Sequence, residues 1–407
     1  MKKLFVLLLV VCLLAAGAFG FLLGKKGTIR ATAPAVKPTA TAAPAETNTE
    51  AETGEAAESA GTLDYDAIYA LHDPDEIVMT VAGQDIPWNE YFYYLYRQGQ
   101  SVENYIASMA MYGMNVNWTD EADEDGHTYA DLTLESAESI ACSLAGTMGF
   151  AKENGVELSV EDLETIEEKV KEDTVALCGE DGTRADLDEY LESIYLPAAL
   201  YDRMNEVSML YQNGFTVLYG EDGEKLSDEE TMAYLEENGY LSANHILFMT
   251  IDPESYEALD DETKAAKQAQ AAEIAAELQA IENTEERLAR FAELKEQFDE
   301  DTGKTAYPNG YIFQPGEMVA EFENAVKGQD AYQISDPVES AYGYHVIMTL
   351  PLEPDSVLDY SSGGAAMTAR STAANEIYSA AVDAFIEAQE PVYAEGFEKP
   401  DLLSFLK

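Results

Sequence analysis

The sequence predicts an α+β protein in which a small antiparallel sheet with surrounding helices, residues 241–351, is inserted in a mostly helical domain. Three observations predict it. Two short apolar runs of strand character, Asn244 to Thr250 and Tyr344 to Leu350, open and close that one segment. Helical periodicity dominates the chain before it. A further helical stretch, Ala365 to Ala394, follows with no partner of its own, so it is expected to return to the N-terminal helices.

The first element is apolar. Lys2 and Lys3 precede an unbroken apolar or glycine run from Leu4 to Gly24, closed by Lys25 and Lys26. As a helix such a run spans about 30 Å, the hydrocarbon thickness of a bilayer, and lysines at both ends reach the interfaces. Residues 1–26 are therefore expected to be a transmembrane signal anchor or a signal peptide. Ala16-Gly17-Ala18 resembles a small-residue cleavage site, but Phe19 to Leu23 continue the run past that cut and favour a retained anchor. Val11 stands before Cys12 where a lipoprotein signal carries a small residue, which argues against lipid attachment. Either way the bulk of the chain is expected outside the cytoplasm, as a single-pass protein of the cell membrane with its folded part on the extracytoplasmic side.

Residues 31–60 hold eleven Ala, six Thr, three Pro and no aromatic residue. They cannot bury enough surface to offset the entropy of ordering, so 27–62 reads as a disordered Ala/Thr/Pro/Glu tether. Across the whole chain, 78 acidic residues face 23 basic ones, a net charge of −55. Nucleic acid and anionic headgroups repel such a surface, so no nucleic-acid partner is expected. The charge keeps an exported protein soluble. Cys142 and Cys178 could pair, but sequence does not set the distance between them.

Residues 63–240 read as helical apart from one early stretch, Ile77 to Gln84, which looks like a short strand running into a turn. After Pro87 comes a tyrosine-rich helix with Tyr91, Leu95 and Gln98 on one face and Phe92 and Tyr96 beside it. An acidic loop, Asn115 to Ala130, precedes helices at 132–153, 159–177, 184–212 and 228–238. Ser159 with Asp162, and Ser227 with Glu230, have capping-box spacing. Within 241–351, two helices carry the stripes Ile274/Leu278/Ile281 and Leu288/Phe291/Leu294/Phe298. A glycine-broken stretch holds Tyr311-Ile312-Phe313, a short helix spans 319–326, and Pro351 ends the last strand.

Cofactor motifs fail. Glu121 to Gly126 imitates the start of a calcium loop, but Leu132 stands where a bidentate Glu is required. Gly303-Lys304-Thr305 has Phe298 in place of the upstream glycine of a phosphate loop. No Cys/His metal spacing occurs. No metal and no cofactor are expected.

Residues 243–349 resemble the parvulin family of prolyl isomerases. Ala243-Asn244-His245-Ile246-Leu247 is similar to the family's first strand with its inward histidine. Phe291 to Asp301 is similar to the helix leading to its catalytic Asp or Cys, which falls on Asp301. Gly316 to Phe322 matches the stretch that supplies the proline pocket, Met318 and Phe322, with Phe313 as the aromatic residue before it. Ile334 to Val338 and Tyr342 to Ile347 match the closing turn and strand, with the second histidine at His345. The resemblance implies peptidyl-prolyl isomerase activity, with His245, Asp301 and His345 catalytic and Met318, Phe322 and Phe313 binding substrate.

These residue types suit the chemistry. An X–Pro amide rotates over about 18–20 kcal/mol because resonance holds it planar. Lowering that barrier takes a dry pocket for the ring and polar groups that favour the twisted amide. Met318 and Phe322, four residues apart, would share a helix face. The histidines would sit hydrogen-bonded on neighbouring strands with Asp301 tuning them, by electrostatic assistance more than by covalent attack. A single histidine on an apolar strand is ordinarily a core residue; here two of the four histidines in the chain open and close one segment.

The segment also departs from the family. Its Gly-Gly-Asp-Leu-Gly is replaced by Tyr307-Pro308-Asn309-Gly310-Tyr311 before Ile312-Phe313, and its later apolar positions by Lys327-Gly328-Gln329-Asp330. A non-catalytic holdase with a degenerate parvulin domain is therefore the alternative. The loop Ile251 to Glu257 has no Arg or Lys, which argues against phosphoserine-proline specificity.

On the flanks, Val78 to Pro87 with the aromatic helix, and Leu158 to Leu163, resemble segments of SurA- and PrsA-like foldases. This implies a helical chaperone domain, 63–240 completed by a C-terminal helix in 365–407, acting on unfolded or partly folded exported polypeptides that contain X–Pro bonds. Tyr91, Phe92, Tyr93, Tyr94 and Tyr96 are candidates for its packing or its cleft, with packing favoured.

Overall fold

A computed structural model describes residues 61–359 and 367–407. The expected anchor, residues 1–26, and all but the last two residues of the tether lie outside the described residues. Among the described residues no helix is long and apolar enough to cross a membrane. Gly61 and Thr62, read as tether, are tied in: Trp118 Nε1 donates to the Gly61 carbonyl at 3.0 Å and the Lys407 amide to the Thr62 carbonyl at 2.9 Å. The chain divides into two compact units, one running to Val217 and including Ser379–Lys407, the other Leu218–Tyr378.

The first unit starts with α1 (Tyr65–Tyr69), then the hairpin β1 (Ile77–Val81) and β2 (Gln84–Pro87). Ala82 and Gly83 close the hairpin with φ of 50° and 73°, the geometry of a two-residue turn that matches strand twist. The strand Val392–Tyr393 pairs antiparallel with β1 on its other edge. The single early strand expected is thus one of a three-stranded sheet. Its partners carry little sequence signal, because β2 has only four residues ending in proline and the third strand comes from the far end of the chain.

Helix α2 (Trp88–Met111) buries Trp88, Tyr91, Phe92, Tyr94, Leu95 and Gln98. The expected face is therefore core, while Tyr93 and Tyr96 are half-buried. Helices α3 (Tyr129–Glu153) and α4 (Val160–Cys178) both begin with reciprocal capping boxes, Thr128/Asp131 and Ser159/Asp162. The single helix expected over 184–212 is two, α5 (Arg184–Ser193) and α6 (Ala198–Tyr219). Pro197 has no N–H to continue the ladder and disfavours helical geometry at Leu196. Tyr195 turns with φ 58° and places its ring 5.1 Å from Phe92. Cys142 and Cys178 are both free thiols.

The second unit carries α7 (Asp228–Glu237), capped by the expected Ser227/Glu230 box. It continues with β3 (Leu241–Met249), α8 (Asp261–Gln279), α9 (Thr284–Phe298), β4 (Tyr311–Phe313), α10 (Ala320–Lys327), β5 (Val338–Glu339) and β6 (Gly343–Thr349). The strands form one antiparallel sheet in the order β4-β3-β6-β5. Side chains alternate across it. Ile246, Phe248, Tyr344, Val346 and Met348 face the apolar stripes of α8 and α9, namely Ile274, Leu278, Phe291 and Leu294. Ala243 and Ile347 point to the other face, into a smaller cluster with Phe313, Phe322 and Val326. His245 and His345 fall on that second face by the same alternation.

A short pair, β7 (Val357–Asp359) with β8 (Met367–Thr368), leads into α11 (Ala369–Glu387). Within the first unit, the last turns of α11 pack on α3, where Phe385 meets Phe150 edge-on at 5.7 Å. The Val392–Tyr393 strand, β9, completes the small sheet beyond.

Candidate active site

The site is built on one edge of β3. Strand β4 pairs only with Leu241, Ser242 and Ala243. Farther along, the free edge is taken by the segment leaving α9. The Leu247 amide donates to Asp299 Oδ1 at 2.9 Å, the Glu300 amide to the Leu247 carbonyl at 3.0 Å, and the Met249 amide to Glu300 Oε2 at 2.7 Å. Buried Asp299 also accepts from the amide of Asp301 at 3.1 Å. The backbone that carries Asp301 is thereby fastened beside His245.

The resulting network is continuous. His245 Nε2 lies 3.0 Å from Asp301 Oδ2, and its Nδ1 lies 2.9 Å from His345 Nδ1. His345 Nε2 lies 2.7 Å from Ser340 Oγ. The two imidazoles stack with centroids 5.1 Å apart and an interplanar angle of 11°. A carboxylate can only accept. With both rings neutral, the direction of every bond follows: His245 Nε2–H donates to Asp301, His345 Nδ1–H to His245 Nδ1, and the Ser340 hydroxyl to His345 Nε2. One added proton on His245 reverses the last two bonds. Two are excluded, because facing Nδ1–H groups would collide.

Electrostatics agree with that count. Burial, then the neighbouring His245, pushes the His345 pKa down to about 3. Burial raises the Asp301 carboxyl, but hydrogen bonds from His245, Tyr311 and the Gly303 amide outweigh it and hold the group well below the usual carboxylate range. Burial, then the bond to Asp301, pushes the Tyr311 phenol above its ordinary value.

The apolar side of the site is Phe322. Its ring meets His245 edge-on at 5.3 Å and His345 at 5.6 Å. Phe313 is buried behind it at 5.8 Å. Met318 is half-buried in the same cluster, but not through a shared helix face: α10 begins at Ala320 with Val319 as its N-cap, so Met318 lies in the preceding bend. Pro315-Gly316, with Gly316 at φ 91°, delays the helix start.

The structure therefore brings His245, His345, Asp301, Phe322, Phe313 and Met318 to one place. Sequence reasoning did not single out Ser340, Tyr311 or Asp299. Ser340 had a signal: it stands five residues before His345, across a tight turn where its amide donates to the Gly343 carbonyl at 2.9 Å. Tyr311 and Asp299 had none, since one sits in a strand and the other among many acids. Among the described residues no cluster of three or more His, Cys, Asp or Glu side chains could hold a metal ion.

Residues 245–350 match the family model for the rotamase, or PPIC-type PPIase, domain. Foldase protein PrsA 3 of Bacillus cereus is 51% identical over 59 residues, 14% of this chain and 20% of that protein. Foldase protein PrsA of Halalkalibacterium halodurans is 34% identical over 133 residues, 31% of this chain and 32% of that protein. Chaperone SurA of Chromohalobacter salexigens is 44% identical over 59 residues, 14% of this chain and 13% of that protein. The chain spans a third or less of the length of these curated relatives. With the stacked histidines, the acid and the aromatic residue gathered on one face of the β4-β3-β6-β5 sheet, residues 245–350 are a parvulin-type peptidyl-prolyl isomerase domain.

Proposed function

We propose that the chain catalyses X–Pro isomerisation in exported polypeptides and chaperones them, tethered to the membrane by residues 1–26 with its folded part on the extracytoplasmic side. The observation that carries the catalytic reading is the bond series Asp301–His245–His345–Ser340 beside buried Phe322. In the planar amide the carbonyl oxygen bears more negative charge than in the twisted one. An ionised Asp301 near that oxygen disfavours the planar form relative to the twisted one, and the two imidazoles hold the acid in place. Phe322 and Met318 hold the proline ring, with Phe313 supporting them from behind. No covalent step is required.

The chaperone part rests on apolar surface in the first unit. At the end of α2, Met111 and Tyr112 are 82% and 76% exposed, and Met114 follows them. Flexible methionines adapt to varied apolar partners. A holdase without catalysis would use the same surface, so the two readings separate on turnover. A protease-coupled assay with a proline-containing peptide should show the full chain exceeding the spontaneous rate, and His245→Ala and Asp301→Ala losing most of that excess. A wild-type rate equal to the spontaneous one would leave the holdase.

A further inference from the structure

Tyr311 belongs to the stretch that departs from the parvulin pattern, and it sits directly on the acid. Its hydroxyl donates to Asp301 Oδ2 at 2.5 Å, the same oxygen that lies 3.0 Å from His245 Nε2. The other oxygen, Oδ1, accepts from the Gly303 amide at 2.9 Å. The tyrosine ring stands edge-on to His245 at 5.6 Å and lies 4.7 Å from Tyr307 on another side.

Two glycines admit this arrangement. A Cβ on Gly303 would lie 2.1 Å from the Tyr311 hydroxyl, so any larger residue there would displace it. A Cβ on Gly310, whose φ is 100°, would lie 2.6 Å from the Ala243 carbonyl, so glycine lets the chain close onto β3 one residue before Tyr311 pairs with Ala243. A phenylalanine would satisfy both ring contacts. What the hydroxyl adds is its bond to the acid.

Resting on the isomerase reading above, we propose that Tyr311 is a positioning residue for that reaction: its hydroxyl, with His245, clamps Asp301 Oδ2 and keeps the acid an ionised, acceptor-only group. The charges and titratable groups around Asp301 are His245 and His345 on the strands, Tyr311 on β4, Lys295 on α9, and Asp299 and Lys304 beside it in the chain. Tyr311 is raised by burial and by the acid itself, so it remains a donor through the neutral range. A carboxylate held this way neither donates a proton nor attacks the amide. It acts through its charge.

Tyr311→Phe in the full chain keeps the ring and removes the bond. Gly303→Ala keeps the tyrosine and pushes its hydroxyl away. The Asp301 carboxyl is followed by 13C NMR titration, assigned by its loss in Asp301→Asn. Both variants should raise its titration midpoint by about one unit. The acid limb of kcat/KM should move up with it, and kcat/KM at neutral pH should fall about tenfold. A midpoint unchanged in both folded variants would overturn the proposal. An inactive wild type would remove the isomerase reading while the titration still decides whether Tyr311 clamps the acid.

Discussion

His245 and His345 stand on a diagonal across β3 and β6: His245 pairs with Ile347 and Leu247 with His345, while the two imidazoles close the gap through Nδ1 atoms 2.9 Å apart. A direct cross-strand pair would place Cβ atoms about 5 Å apart and crowd two flat rings. The diagonal lets them stack and share one proton.

The buried pair makes stability depend on pH in one direction. His345 in the fold titrates at about 3, against an ordinary value of 6.5. Below about pH 6.5 the unfolded chain takes up a proton that the fold refuses, so the stability this ring contributes is full above that value and drains as pH falls toward the folded pKa. The stability advantage of wild type over His345→Gln, measured by urea unfolding from about pH 7.5 to about pH 4.5, should shrink toward acid. An advantage independent of pH would mean that the folded ring accepts protons freely.

Asp301→Asn removes the charge and keeps the shape. The isomerase reading expects kcat/KM to fall about a hundredfold, with KM nearly unchanged because Phe322 and Met318 still hold the ring. His245→Gln should behave alike. A rise in KM with kcat preserved would assign the acid to binding.

Gly343 begins β6 with φ 149°, and a Cβ there would lie 2.1 Å from the Phe248 carbonyl. Backbone lies against backbone at this point, so nothing flexible can yield. Gly343→Ala should destabilise the second unit by about 2–4 kcal/mol, seen as a lower urea midpoint. It should also lower activity, because the same strand carries His345.

In the first unit, a Cβ on Gly149 of α3 would lie 2.7 Å from Ala82 Cβ in the β1–β2 turn and 3.2 Å from the Phe385 ring of α11. Gly149→Ala should therefore cost about 1–3 kcal/mol by overpacking, despite the better helix propensity of alanine. Thermal unfolding of the full chain tests it; a stabilised variant would show that the turn and the C-terminal helix do not both lean on this position.

Much of this was readable residue by residue. The capping boxes at Ser159 and Ser227 follow from short-range spacing, and the buried face of α2 from its period. His245, Asp301, Phe322 and His345 stand out in the sequence because they lie in recognisable local patterns in order. What failed was of a different kind. Met318 and Phe322 are four apart, yet Pro315-Gly316 and the Val319 cap keep Met318 off the helix, so spacing misled. Pro197 split a helix whose apolar pattern runs through the break.

By itself, then, the sequence determined which side chains carry charge, proton and apolar surface, and where helices start, because caps and periodicity act within a few residues. The tertiary structure alone decided that Tyr311 lies on Asp301, that Asp299 stitches α9's exit to the edge of β3, and that Val392–Tyr393 completes a sheet begun at Ile77. The last two satisfy backbone groups left free at strand edges, and any of many acids or short strands could have met that need. Burial selects among them, and burial exists only once the chain has closed on itself.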